Sequence, residues 1–89
     1  MNNKVILGSL AMDLKRVALG YYKGSFKTAD IFLKEALKRK AEIDLSSIKP
    51  YIKNILDKIE GLDTQDKQKA AEDALMYSTI IQNAALHLS

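Results

Sequence analysis

The sequence predicts an all-α domain, built either as an up-down four-helix bundle or as two stacked antiparallel helical hairpins. Two observations carry that prediction. Apolar residues recur at helical spacing along the whole chain, with no stretch of strand-like alternation. Three short breaks, at Gly24-Ser25, at "IDLSS" ahead of Pro50, and at Gly61, divide the pattern into four segments. Turns this short make successive helices antiparallel neighbours. The 89 residues form a single domain, 1–89, and a chain of this size buries only about 60% of its unfolded surface. Very good packing or a partner has to supply the rest of its stability.

The first helix is predicted over 4–22. Ile6, Leu10, Leu14, Val17 and Tyr21 form one stripe, widened by Leu7, Ala11 and Ala18. Gly24-Ser25 ends it, with Ser25 placed to cap the next helix. The second helix, 26–42, turns Ala29, Phe32, Leu33, Ala36 and Leu37 inward, with Phe26 at the entry. Glu35 and Arg39 on its outer face form a favourable i, i+4 pair.

The third helix is predicted over 47–60, capped by Ser46 or Ser47, with Pro50 in the first turn, where a missing N–H costs nothing. Ile48, Tyr51, Ile52, Ile55, Leu56 and Ile59 give the cleanest amphipathic pattern of the chain. Gly61 is expected to end it in the left-handed conformation, with Leu62 packing back. The fourth helix, 64–88, is capped by Asp63 or Thr64, with Asp66 in its first turn, where the helix dipole favours an acid. Its inner face runs through Ala70, Ala74, Tyr77, Ile81, Ala84 or Ala85, and Leu88.

Composition narrows the function classes. With 47% apolar and 28% charged residues the chain is globular rather than disordered. It has no cysteine, which excludes disulfides and thiolate metal sites, and a cytoplasmic setting fits. The apolar start "VILGSLAM" runs directly into Asp13, Lys15 and Arg16, so the first helix of a bundle is expected rather than a signal peptide. No stretch approaches the roughly 20 apolar residues of a membrane span. The net charge of +3 is unevenly spread: residues 1–53 hold eleven Lys/Arg against five Asp/Glu, and residues 54–89 hold three against six. Such asymmetry suggests internal charge matching or head-to-tail association.

Catalytic templates find little to match. The glycines at 8, 20, 24 and 61 are isolated, so there is no phosphate-binding loop. Every nucleophile–base arrangement would have to use His87, the single histidine, and no Glu-x-x-His pair is present. Glu72 and Asp73 read as solvated acids early in the last helix, and neither a metal nor a cofactor is expected.

Two stretches resemble known families. "GSFKTADIFLKEAL", residues 24–37, resembles the middle of a tetratricopeptide repeat at Gly24, Phe26, Ala29, Leu33, Ala36 and Leu37. It lacks the upstream Gly-x-x-Tyr register and the closing proline, and 89 residues cannot hold the three repeats a solenoid needs. "QNAALH" near the C-terminus resembles the Arg-Asn-x-x-x-His signature of HEPN domains, small helical bundles found as RNase toxins and as partners of nucleotidyltransferases. The resemblance implies that Asn83 and His87 take the family's polar positions, one turn apart. Gln82 stands where the motif has arginine, and glutamine supplies no fixed positive charge to stabilise a phosphorane oxyanion.

Three functions remain in view. The favoured one is a non-enzymatic helical interaction module, a homodimer or a small subunit of a complex. Residues 74–89 carry no formal charge, so the last helix has no charged face, and Leu75, Met76, Ile80 and Leu86 point away from its inner stripe. A second copy packing there is the economical cover. The second is a HEPN-like RNA-acting or toxin–antitoxin component using Gln82, Asn83 and His87. The third is a nucleic-acid binder using Lys34, Lys38, Arg39, Lys40, Lys49 and Lys53, although Glu35, Glu42 and Asp44 interrupt that face.

Overall fold

The computed structural model describes residues 2–88, and every helix the periodicity predicts is present: α1 (Asn3–Tyr22), α2 (Phe26–Ala41), α3 (Pro50–Ile59) and α4 (Lys67–Leu86). No strand occurs among the described residues. The domain is a helical bundle centred on α1, which packs against α2 on one side and α4 on the other, while α3 lies against α4. All eight residues of the predicted α1 stripe are buried. The buried arc of α1 also takes in Asp13 and Gly20, and it is wide because two helices share it.

Asn2 starts α1 by accepting the Val5 N–H at 2.9 Å. The helix ends in a Schellman turn: Ser25 N–H donates to the Gly20 carbonyl at 2.8 Å and Gly24 N–H to that of Tyr21 at 3.2 Å. Gly24, at φ 73°, supplies the left-handed residue this turn requires. Ser25 occupies the N-cap position of α2, but its side chain makes no capping bond. Its backbone, at ψ 69°, is short of the extended geometry that aims a hydroxyl at the first turn.

The other caps also differ from the sequence expectation. The third helix does not begin at Ser46 or Ser47, because Pro50 holds Lys49 in extended backbone, φ −66° and ψ 147°, and the helix can start only at the proline. Ahead of it Leu45–Ser47 forms a single 3-10 turn, capped by the Asp44 carboxylate through Ser46 N–H and Oγ. Those bonds hold the Asp44 carboxyl below its ordinary value. Asn3 fastens this turn to the start of α1, donating to the Asp44 carbonyl at 2.9 Å and accepting its N–H at 3.0 Å. Gly61 is not left-handed: its φ is −94°, and the chain passes into a second 3-10 turn, Leu62–Thr64, that buries Leu62. Asp66, not Asp63 or Thr64, caps α4 by accepting the Lys69 N–H at 3.1 Å.

One residue of the predicted α3 stripe lies outside the core, and the entry residue of α2 stands at the surface. Tyr51, in the opening turn of α3, is exposed, and Phe26 stands at the surface beside Tyr21. The Lys67 ammonium lies 5.3 Å from the Tyr21 ring centroid and 5.5 Å from that of Phe26, joining the start of α4 to the α1–α2 turn. The buried Tyr21 hydroxyl has no hydrogen-bond partner among the described residues. Burial, with Asp30 and Asp63 adding to it, raises the Tyr21 pKa. Because the fold disfavours the phenolate, this ionisation leaves stability unchanged below the ordinary tyrosine value and lowers it as pH rises through the raised one. Tyr21→Phe is therefore expected to gain about 1 kcal/mol at neutral pH and to soften the alkaline loss of stability, as urea titrations between pH 7 and 11 would show. Equal stability of the two proteins at every pH would contradict this account.

Candidate interaction surface

The part of α4 that has no charge lies beside α1, and the two helices run antiparallel. Ser78 Oγ donates to the Ala11 carbonyl at 2.7 Å, Lys15 shares a groove with Leu75, and Leu7 shares a pocket with Ala84 and His87. Inner faces fill the core, with Ala70, Ala71, Ala74, Tyr77, Ile81 and Ala85 buried on α4. The outer faces are unusually apolar for a surface. On α4, Leu75, Met76 and Leu86 are 40%, 49% and 63% exposed, and on α1, Val5 and Met12 are 47% and 54% exposed.

Between them runs an open groove of about 430 Å³ with Met12 and Lys15 on one wall and Leu75, Thr79, Gln82 and Asn83 on the other. Its hydroxyls are already engaged within the chain. Ser78 bonds Ala11, and Thr79 Oγ1 donates to the Leu75 carbonyl at 3.1 Å. What the groove offers a partner is mainly shape and apolar area, with two amides and one ammonium at the margin.

Three of the four predicted interface residues, Leu75, Met76 and Leu86, are exposed, and Leu75 lines the groove. Ile80 is not: it is half-buried and packs against the core. Its place on the helix, between the inner stripe and the outer face, brings it under the edge of the bundle. The α1 contribution, Val5 and Met12, was missed, although their seven-residue spacing outside the core stripe is a signal the sequence does contain.

The polar set Gln82, Asn83 and His87 is divided between two places. Gln82 and Asn83 line the α1–α4 groove. His87 caps the end of α4 and faces a second pocket of about 170 Å³, where Leu7, Ile48, Ile52 and Leu88 surround a rim that includes Lys49 and Tyr51. No cluster of three or more potential metal ligands occurs among the described residues, and no helix there is long and apolar enough to cross a membrane.

The predicted cationic face is largely engaged by carboxylates. Arg39 Nε donates to Asp13 Oδ2 at 2.9 Å, so its partner is not Glu35, which lies 3.6 Å from the Lys38 ammonium instead. Lys40 Nζ reaches Glu60 at 2.8 Å and Asp57 at 3.9 Å. Lys34 borders a hollow that also contains Asp30 and Asp63. Lys49 and Lys53 are exposed without an ion pair among the described residues. The residues predicted to track phosphates thus form pairs with acids more than a continuous positive stripe.

Comparison with protein-family models, with curated proteins and with solved structures finds no match to this chain.

Proposed function

We propose that this chain is a helical protein–protein interaction module that works as a homodimer, closing the outer α1–α4 face of one copy on that of another. The observation that carries the reading is the exposure of Val5 and Met12 on α1 and of Leu75, Met76 and Leu86 on α4, two helices that lie side by side. Monomeric proteins rarely leave contiguous apolar patches of several hundred Å² uncovered.

Charge favours a second copy as the cover. The α4 half of the face has no formal charge from Ala74 onward, so two copies can meet there without like-charge repulsion. Removing this surface from water would also add to a core limited by the size of the chain.

Sedimentation equilibrium between 1 and about 300 µM tests the reading. The wild type is expected to be dimeric in the upper part of that range. Leu75→Lys, which sets two ammonium groups against an apolar contact, is expected to weaken association roughly 100-fold with no loss of helical circular dichroism. A wild type that stays monomeric throughout overturns the homodimer.

A further inference from the structure

The first helix contains a glycine that nothing within the chain explains. Gly24 is required by its positive φ. Gly20 is required by packing, since a Cβ there would lie 2.9 Å from the Ala29 backbone nitrogen. Gly61 lies in a connecting turn. Gly8 is different. It sits in the middle of α1 with no positive φ, and an added Cβ would meet no atom within 4 Å. A glycine in a helix interior is less favourable than alanine, and no contact among the described residues offsets that cost.

Its surroundings indicate what does. Val5 and Met12, three residues before it and four after, are both about half exposed and are its neighbours along the outer face of the helix. Resting on the homodimer reading above, we infer that Gly8 is the point of closest approach between two copies. There α1 crosses the partner's α1 antiparallel, and the Met12 side chain of each copy fills the Gly8 notch of the other. Met suits such a position because its unbranched thioether adapts to an irregular hollow.

One spacing on α4 agrees with this arrangement. An antiparallel two-fold that sets Gly8 opposite Met12 must pass level with residue 10, midway between them. The Ser78–Ala11 hydrogen bond and the Lys15–Leu75 groove put residue 10 of α1 level with residues 79–80 of α4. Leu75 and Leu86, the two exposed leucines of α4, are centred between residues 80 and 81. The same axis therefore brings the Leu86 end of one copy level with the Leu75 end of the other. The Gly8–Met12 pair of α1 and the Leu75–Leu86 pair of α4 thus share one centre, as an isologous contact requires, with the exposed Leu19 outside that set.

The test uses the opposite signs of one substitution. In the Leu75→Lys background, where association is removed, Gly8→Ala is expected to raise the melting temperature by about 5 °C, because it only improves the helix. In the otherwise wild-type chain, Gly8→Ala is expected to weaken dimerisation about tenfold and Gly8→Leu about 100-fold or more, by filling the notch. If Gly8→Leu dimerises like the wild type while Leu75→Lys does not, the Gly8 crossing is overturned and the homodimer stands. A wild type that never dimerises overturns both.

Discussion

Gly20→Val is expected to destabilise the protein by about 3 kcal/mol and to lower its melting temperature by about 12–20 °C. A Cβ at Gly20 would come within 2.9 Å of the Ala29 nitrogen, 3.0 Å of its Cβ and 3.1 Å of its Cα. Two of those atoms are backbone, so no side-chain rotation relieves the contact. Nor can α2 retreat easily. The Gly20 carbonyl accepts the Ser25 N–H of the connecting turn, and the Ala29 N–H bonds the Ser25 carbonyl at 3.0 Å, so this crossing and the turn share their atoms. Overpacking of this kind costs about 1–3 kcal/mol, and the branched methyls of valine take it to the upper end. In a domain whose total stability is on the order of 5–10 kcal/mol, that loss is visible in a thermal melt followed by circular dichroism. Gly20→Ala should fall by a smaller amount, since better helix propensity offsets part of the clash. Unchanged melting temperatures for both variants would mean that α2 does not approach α1 this closely. The contrast with Gly8 is informative: the same residue type in the same helix responds to alanine with opposite signs, because one faces a neighbouring backbone and the other faces open space.

The architecture was legible because most of it rests on local periodicity. The α1 stripe and the inner face of α4 are read directly from spacing, and the structure buries them except at Leu88, which lies past the end of α4 and is half-buried. Helix ends were less legible. Ser46, Ser47, Asp63 and Thr64 all have capping side chains, but each belongs to a 3-10 turn or its margin, and the residues that precede the helices proper are Lys49 and Asp66. At the former, the deciding factor was the steric effect of Pro50 on the residue before it. The candidate surface was half legible. Its α4 side is announced by missing charges. Its α1 side is meaningful only once α4 is known to lie next to α1, a contact between residues more than sixty positions apart. The ion pairs of the cationic face were illegible for the same reason. Arg39 and Lys40 look free in sequence because their carboxylate partners are 26 and 20 residues away.

Arg39→Met is expected to cost about 3 kcal/mol in stability, which separates a structural arginine from one reserved for a ligand. Asp13 is the only buried charged residue among the described ones, with 6% of its side chain exposed. Arg39 Nε approaches it at 2.9 Å and Arg16 at 3.6 Å, and the two arginine side chains are 35% and 47% exposed. The burden of desolvation therefore falls on the carboxylate. Removing Arg39 leaves a buried charge with one distant partner, while methionine keeps the aliphatic stem and so isolates the electrostatic loss. Asp13→Ala should cost less, about 2 kcal/mol, because the part-exposed arginines can turn to water. The double variant Asp13→Ala/Arg39→Met should be more stable than the sum of the single effects implies, by about 1–2 kcal/mol. Urea unfolding of the four proteins measures this directly. Additive losses would show that Asp13 and Arg39 are neighbours without being coupled, and a neutral Arg39→Met would return that guanidinium to the surface as a group free to meet a partner.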